Sequence, residues 1–300
     1  MLHNDRENFE QIILKVSDET GIEASIIEKD YYVTLFLKRI VEVIPNIIFK
    51  GGTSLSKCYK LIKRFSEDID LNIETDKRPT EGQRKKLKEA IVSIIDEFGF
   101  SLENAENVRS RRTFNKYIVD YPTVFSAHYL KQHLMIETAV NIKAYPCKKM
   151  QVTSIIYDYL ENNGFHSLIE KYELEPFGVN VQMAERTFVD KLYALGDYYL
   201  SDAISELSRH IYDIYKLSEI VSLDDSLRAL VKEVYMEREP HVQCHSAKPN
   251  IDMNVLLQEV IDKEIYKTDY ENITMKMLFE EIPYETAIEK LKRVVEYKLF

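Results

Sequence analysis

From residue 68 the chain reads Asp-Ile-Asp-Leu-Asn-Ile-Glu. Ile69, Leu71 and Ile73 alternate with Asp68, Asp70 and Asn72, and a period of two means a strand with two unlike faces. One face suits a buried core. The other carries both aspartates side by side, because residues i and i+2 of a strand leave the same face. Upstream, the apolar, β-branched run Ile47-Ile48-Phe49 meets Gly51-Gly52, where the backbone can turn sharply. Thr53 or Ser54 stands where it can cap a following helix through Leu55, Tyr59 and Leu61.

The rest of the chain divides in two. Residues from Glu23 to Val43 carry Ile26, Ile27, Tyr31, Val33, Leu35, Leu37 and Ile40 without Gly or Pro, which predicts a long helix ending near Pro45. A helix from about Glu81 to Phe98 and strands at Lys116 to Tyr121 and Lys131 to Ile142 complete an α/β first half. From about Thr153 the apolar spacing is helical as far as Phe300, with helices expected near 184–199, 202–219, 223–237, 252–266 and 283–298. The expected fold class is therefore α+β. A mixed sheet with helices occupies 1–150, and an all-α helical bundle occupies 151–300, with a soft boundary between them.

With 300 residues, 45% of them hydrophobic, the chain can bury one large core or two ordinary ones. No stretch reaches the roughly 18 uncharged apolar residues of a membrane span. The opening MLHNDRENFE lacks the features of a signal peptide, and Cys58, Cys147 and Cys244 form no framework, so a cytoplasmic protein with no membrane partner is expected. A formal net charge of -10 argues against coating nucleic acid through global charge, since that requires Lys and Arg to neutralise phosphates. Local basic runs remain at Arg84-Lys85-Lys86 with Lys88, at Arg109 with Arg111 and Arg112, and at Lys148-Lys149. His241, Cys244 and His245 lack a second ligand cluster at zinc-finger spacing. The 20 tyrosines, in a chain with no Trp, are expected to supply core bulk.

A strand, two glycines, Thr, Ser and a helix start make an anion site, because free amide N–H groups and the helix dipole both favour negative charge. Asp68 and Asp70 on the next strand then form a pair suited to hard divalent metal, Mg²⁺ or Mn²⁺, which takes carboxylate oxygens and substrate phosphates. In a two-metal site one ion activates an attacking hydroxyl and the other stabilises leaving pyrophosphate. An NTP triphosphate would lie between the glycine turn and the aspartates. Lys50 abuts the glycines and Lys57 sits one turn into the helix, so either can neutralise triphosphate, or stand as a solvated side chain.

The segment KGGTSLSKCYKLIKRFSEDIDLNIE resembles the signature of the AbiEii/AbiGii toxin family of nucleotidyltransferases, part of the DNA polymerase β-like superfamily. EKDYYVTLFLKRI, ERTFVDKLYAL and RHIYDIYKL resemble that family's other recurrent segments in the same order, so the likeness covers most of residues 25–220. It implies phosphate binding by Gly51, Gly52, Thr53 and Ser54, metal binding by Asp68 and Asp70, and completion of the site by Lys191 and Asp213. Ser66, inside the same signature, is counted with the nucleotide-binding residues. The superfamily usually adds a third acid from a later strand, and the candidate catalytic and metal ligand is Glu137 in HLMIETAV, with a solvated strand face as the alternative. Arg209 and Asp213 lie at i and i+4, so a surface ion pair explains Asp213 equally well without the resemblance.

The implied enzyme moves an NMP from an NTP to an acceptor. It would be the toxin of a bacterial toxin–antitoxin or phage-defence system, with tRNA one candidate acceptor and a cognate antitoxin as partner, and with the helical half contributing to the active-site cleft. Two alternatives stay open: a catalytically inactive nucleotide-binding regulator, and a phosphotransferase acting on protein or a small molecule.

Overall fold

A computed structural model of the chain describes residues 1–300 except Phe65, Glu67, Asp76, Lys77, 128–131 and Glu206. Phe65 and Glu67 of the signature segment, and Lys131, the expected start of a strand, therefore lie outside the described residues. The chain forms two compact units, one of Met1–Cys58 with Ser66–Val181 and one of Tyr59–Phe65 with Gln182–Phe300.

The first unit is built on a sheet ordered β3-β4-β5-β2-β1-β7-β6. Its strands are β1 (Ile47–Lys50), β2 (Asp68–Ile73), β3 (Ser101–Leu102), β4 (Phe114–Asp120), β5 (His133–Ala139), β6 (Cys147–Val152) and β7 (Phe177–Gln182). β2 pairs antiparallel with β1 and parallel with β5, while β1 runs parallel to β7. The alternation of β2 is realised as read: Ile69 and Leu71 are fully buried, and Asp68 and Asp70 stay part-exposed. Phe49, Tyr117, Val119, Leu134 and Ile136 share the buried face with them, by register and by burial.

The helices of this unit are α1 (Arg6–Thr20), α2 (Ala24–Val43), α3 (Gly51–Lys57), α4 (Glu81–Glu97), α5 (Ile155–Asn162) and α6 (His166–Tyr172). α2 packs against α1, α4, α5 and β5 and buries Ile27, Phe36, Leu37 and Ile40 completely. Two of its acidic residues are also spent inside. Glu28 accepts the backbone N–H groups of Val124 and Phe125, both at 2.8 Å, and burial pushes its carboxyl up to about 7 against the pull of those two donors. Asp30 accepts the Lys57 ammonium at 2.6 Å on one oxygen and the Ile155 N–H at 2.8 Å on the other. α4 starts with a capping box between Thr80 and Gln83.

Three sequence expectations are corrected here. α3 stops at Lys57 and does not run through Tyr59 and Leu61, because Lys60 takes a left-handed backbone (φ 52°) and the chain passes into the second unit. Neither Thr53 nor Ser54 caps it, since Lys50 occupies the cap position and Ser54 Oγ donates to the Gly51 carbonyl at 2.8 Å. The part beyond Thr153 is not wholly helical. β7 lies there, paired with β1, and its six residues Phe-Gly-Val-Asn-Val-Gln give too short a period-two signal to stand out among helices. The long stretches of the two compact units meet between Val181 and Gln182.

The second unit holds α7 (Ala184–Leu200), α8 (Arg209–Leu217), α9 (Asp225–Arg238), α10 (Met253–Asp262), the single turns α11 (Lys267–Asp269) and α12 (Met275–Met277), and α13 (Tyr284–Glu296). The expected helix at 202–219 begins only at Arg209. Residues 59–65 are stitched in by the Lys63 N–H donating to Tyr212 Oη at 2.8 Å, by the Phe279 N–H donating to the Lys63 carbonyl at 2.8 Å, and by a bridge between Arg64 and Leu278. Tyr193, Tyr212, Tyr266 and Tyr270 are core residues, and Tyr266 satisfies its hydroxyl on the Leu195 carbonyl at 2.7 Å. Among the described residues no helix is long and apolar enough to cross a membrane.

The Lys57–Asp30 pair is buried, with side chains 5% and 16% exposed, whereas Arg39–Glu97 is a surface pair. Removing one partner of a buried pair strands the other charge. Asp30→Ala is expected to destabilise the first unit by about 3–5 kcal/mol and Glu97→Ala by less than about 1 kcal/mol, both read from urea denaturation followed by circular dichroism.

Candidate active site

The strand registers place four charged residues in one row across the sheet. Lys50 lies opposite Asp70, Asp70 beside Glu137, and Glu137 opposite Lys116. Paired residues of adjacent strands leave the same face at a spacing of roughly 4.8 Å, so the row reads Lys50, Asp70, Glu137, Lys116 on the part-exposed face. Asp68 follows on β2, beside Met135. The structure thereby brings together the three acids read from the sequence.

The glycine turn is fitted to this row. Gly51 has φ 74°, and a Cβ built on it would stand 1.9 Å from Asp70 Oδ2. Only glycine meets both demands, backbone and space. Gly51 and Gly52 are half-buried, while Thr53 and Ser54 are fully buried. Thr53 Oγ1 and Ser66 Oγ share a hydrogen bond of 3.0 Å, which ties α3 to the residue just ahead of β2. An anion approaching here would meet the glycine backbone, since the Thr53, Ser54 and Ser66 hydroxyls already have partners inside the protein.

The lysines part company. Lys50 makes no ion pair among the described residues and stands half-buried beside Asp70. Lys57 points into α2 instead, where its ammonium donates to Asp30 Oδ1 and Thr34 Oγ1, both at 2.6 Å, and to the Asp30 carbonyl at 3.3 Å. Three acceptors use up its three protons. Lys57 fixes α3 to α2, a correction to its reading as a triphosphate ligand. Lys116, which the sequence reading passed over, holds Glu137 Oε1 at 3.1 Å. Alternation in β4 could have flagged it, but its partner depends on the register with β5.

Asp68, Asp70 and Glu137 form an all-oxygen donor set of the kind that hard divalent cations take, and Asp70 fills the cradle that a side chain at 51 would occupy. The residues fit such an ion. Among the described residues, the His, Cys, Asp and Glu group whose ligand atoms all lie within 4.8 Å of one another is a different one, Glu103, Asp120 and His133. It sits at the other end of the β4–β5 ladder, where Asp120 opposes His133. Its acids are exposed, so the row on β2 and β5, which adjoins the close-fitting Gly51, is the better candidate. In that row the carboxylates repel one another and Lys116 takes Glu137.

Lys191 and Asp213 form a separate cluster inside the second unit. Asp213 is fully buried and accepts Arg64 Nε at 2.7 Å and Nη2 at 2.8 Å, a two-pronged pairing, together with Lys191 Nζ at 2.6 Å. Burial alone would raise the Asp213 carboxyl, yet Arg64 and Lys191 outweigh it and hold the group well below the usual carboxylate range. Burial lowers the Lys191 ammonium, with Asp213 opposing, and lowers His210 far enough to keep its ring neutral beside Lys191 at 3.2 Å. The surface pair of Arg209 with Asp213 is thus corrected to a core pair with Arg64, 149 residues away.

Gly51→Ala is expected to strain the turn by about 1–2 kcal/mol and to push the Asp70 carboxylate from its place. Metal-dependent turnover should collapse while the far-ultraviolet dichroism spectrum is kept. Asp213→Ala removes the buried carboxylate that Arg64 and Lys191 share. It should lower stability by about 3–5 kcal/mol, visible as a drop in melting temperature that Arg209→Ala does not share.

Comparison with known proteins gives the family. The AbiEii nucleotidyl transferase toxin family of type IV toxin–antitoxin systems matches residues 35–293, well past residue 220 where the recognisable segments end. Among solved structures the chain resembles MenT4, a nucleotidyltransferase toxin from Mycobacterium tuberculosis H37Rv, at 14% identity and a TM-score of 0.47 over 96% of this chain and 97% of that one. No curated protein matches in sequence. On the extent of the family match, the chain belongs to the AbiEii family and is a nucleotidyltransferase toxin of the type IV toxin–antitoxin class.

Proposed function

We propose that the chain transfers a nucleoside monophosphate from an NTP to a hydroxyl acceptor on RNA, with tRNA the first candidate, and that Asp68, Asp70 and Glu137 hold Mg²⁺ or Mn²⁺ for the reaction. The observation that carries this reading is the close approach of Gly51 to Asp70 in the same row as Glu137, which supports reading the glycine backbone as the phosphate site and the carboxylates as the metal site. In the reaction the acceptor oxygen bonds to the α-phosphorus, the bond from that phosphorus to the bridging oxygen breaks, pyrophosphate leaves, and the acceptor proton passes to solvent. When bound, the divalent ion supplies charge neutralisation and a more acidic acceptor hydroxyl. The chain's own residues orient the phosphates. The Gly51 and Gly52 amides receive them, and Lys50 adds the nearby positive charge that phosphoryl transfer needs more than it needs a covalent nucleophile.

Thr53, Ser54 and Ser66 act on this reading by shaping the turn. Lys191 and Asp213 belong to this reading through the family's recurrent segments alone. Action in the cytoplasm, a cognate antitoxin as partner, and acceptor choice belong to the same proposal.

Purified protein with Mg²⁺, mixed NTPs and total RNA should release pyrophosphate and move label from the α-phosphate, not the γ-phosphate, into RNA. Asp68→Asn and Asp70→Asn keep the shape but not the charge and should lose turnover entirely. Glu137→Gln should lose most of it, and Lys191→Ala roughly 10²–10³-fold. Transfer of γ-label would turn the reading toward a phosphotransferase, and full activity in Asp70→Asn would end it.

A further inference from the structure

Four strands contribute one charged residue each to the row, in the order positive, negative, negative, positive. Such an order is not what a metal site alone demands, because carboxylates that await a cation gain affinity from being left unneutralised. The outer lysines differ. Lys50 makes no ion pair among the described residues, whereas Lys116 is committed to Glu137 at 3.1 Å, with side chains 40% and 24% exposed. The third acid therefore already has a cation, and that cation belongs to the chain.

We propose that Lys116 is the resident counter-charge of Glu137, and that loading of a divalent ion is an exchange in which Glu137 gives up the Lys116 ammonium to take the metal. The inference rests on the reading of Glu137 as a metal ligand. Lys116 sets how tightly the site holds metal on its own. An ordinary cross-strand pair on a solvated sheet would have no such effect, since neither partner would have a second claimant. Here Glu137 has two: Lys116 on β4, and a metal ion held jointly with Asp70 at the adjacent register position. Exchange also leaves the freed ammonium beside the site, where the negative charge of a nucleotide can take it up. Metal and nucleotide then favour one another, and the site alone holds metal weakly.

The test is direct titration of the intact, nucleotide-free protein with Mn²⁺, with free Mn²⁺ read by electron paramagnetic resonance and folding checked by circular dichroism. Lys116→Met should bind Mn²⁺ roughly two- to fivefold more tightly than the wild type, the worth of a part-exposed ion pair. The gain should shrink at high salt. Lys116→Arg, which keeps the charge, should stay near the wild-type value. Glu137→Gln should bind more weakly, and adding Lys116→Met to it should change nothing further. Unchanged or weaker binding by Lys116→Met, with Glu137→Gln weakened as expected, overturns the exchange and leaves the metal site standing. Wild-type binding by Glu137→Gln removes Glu137 from the metal site and takes the exchange with it.

Discussion

The pairing of Lys50 with Asp70 across β1 and β2 is the contact on which the candidate site depends. It sets the last residue of one strand against a carboxylate of the next, so the residue that follows, Gly51, has to turn where Asp70 already stands. A register slip of one residue would send Asp70 to the buried face and leave the turn facing Leu71. The hydrophobic alternation of β2 forbids that slip, because it would expose Ile69 and Leu71, which are now fully buried. Core packing thereby fixes the chemistry of the opposite face.

The same constraint explains where positive charge is found. Carboxylates on adjacent strands, roughly 5 Å apart, repel by about 1–3 kcal/mol at effective dielectric constants of roughly 80 to 20. In the row this is offset by Lys50 and Lys116 at its ends. Elsewhere the offset is internal: Lys57 against Asp30, and Arg64 and Lys191 against Asp213. These pairs account for Asp30 in EKDYY, Lys191 in ERTFVDK and Asp213 in RHIYDIYK. A buried charge is tolerated only with a partner in good geometry, so such residues mark long-range contacts even before any chemistry is assigned to them.

What was legible in the sequence follows local periodicity. The two faces of β2, the helix over 24–43, the glycine turn and the alternation that sets Glu137 against Leu134 and Ile136 can all be read from residues within one element. What was not legible depends on pairing between distant elements. Lys57 looked like a phosphate ligand because its spacing in α3 allows it, and only the position of α2 shows that Asp30 and Thr34 claim the ammonium. Lys116 and Arg64 were missed for the same reason, as was β7, whose identity as a strand rests on pairing with β1 more than on its own six residues.

Residues 59–65 belong to the helical unit although they lie between α3 and β2. On a ribosome this ordering has a cost in time. Arg64 leaves the exit tunnel 149 residues before the aspartate with which it pairs, a wait of roughly 7–30 s at about 5–20 residues per second. A nascent chain that stalls or is cleaved anywhere short of α8 carries Arg64 and the aspartates of β2 but not the Asp213 carboxylate with which that guanidinium pairs. The segment that leads into β2 is thus finished only when the far helices have been made, so a truncated product carries it undocked and open to proteolysis.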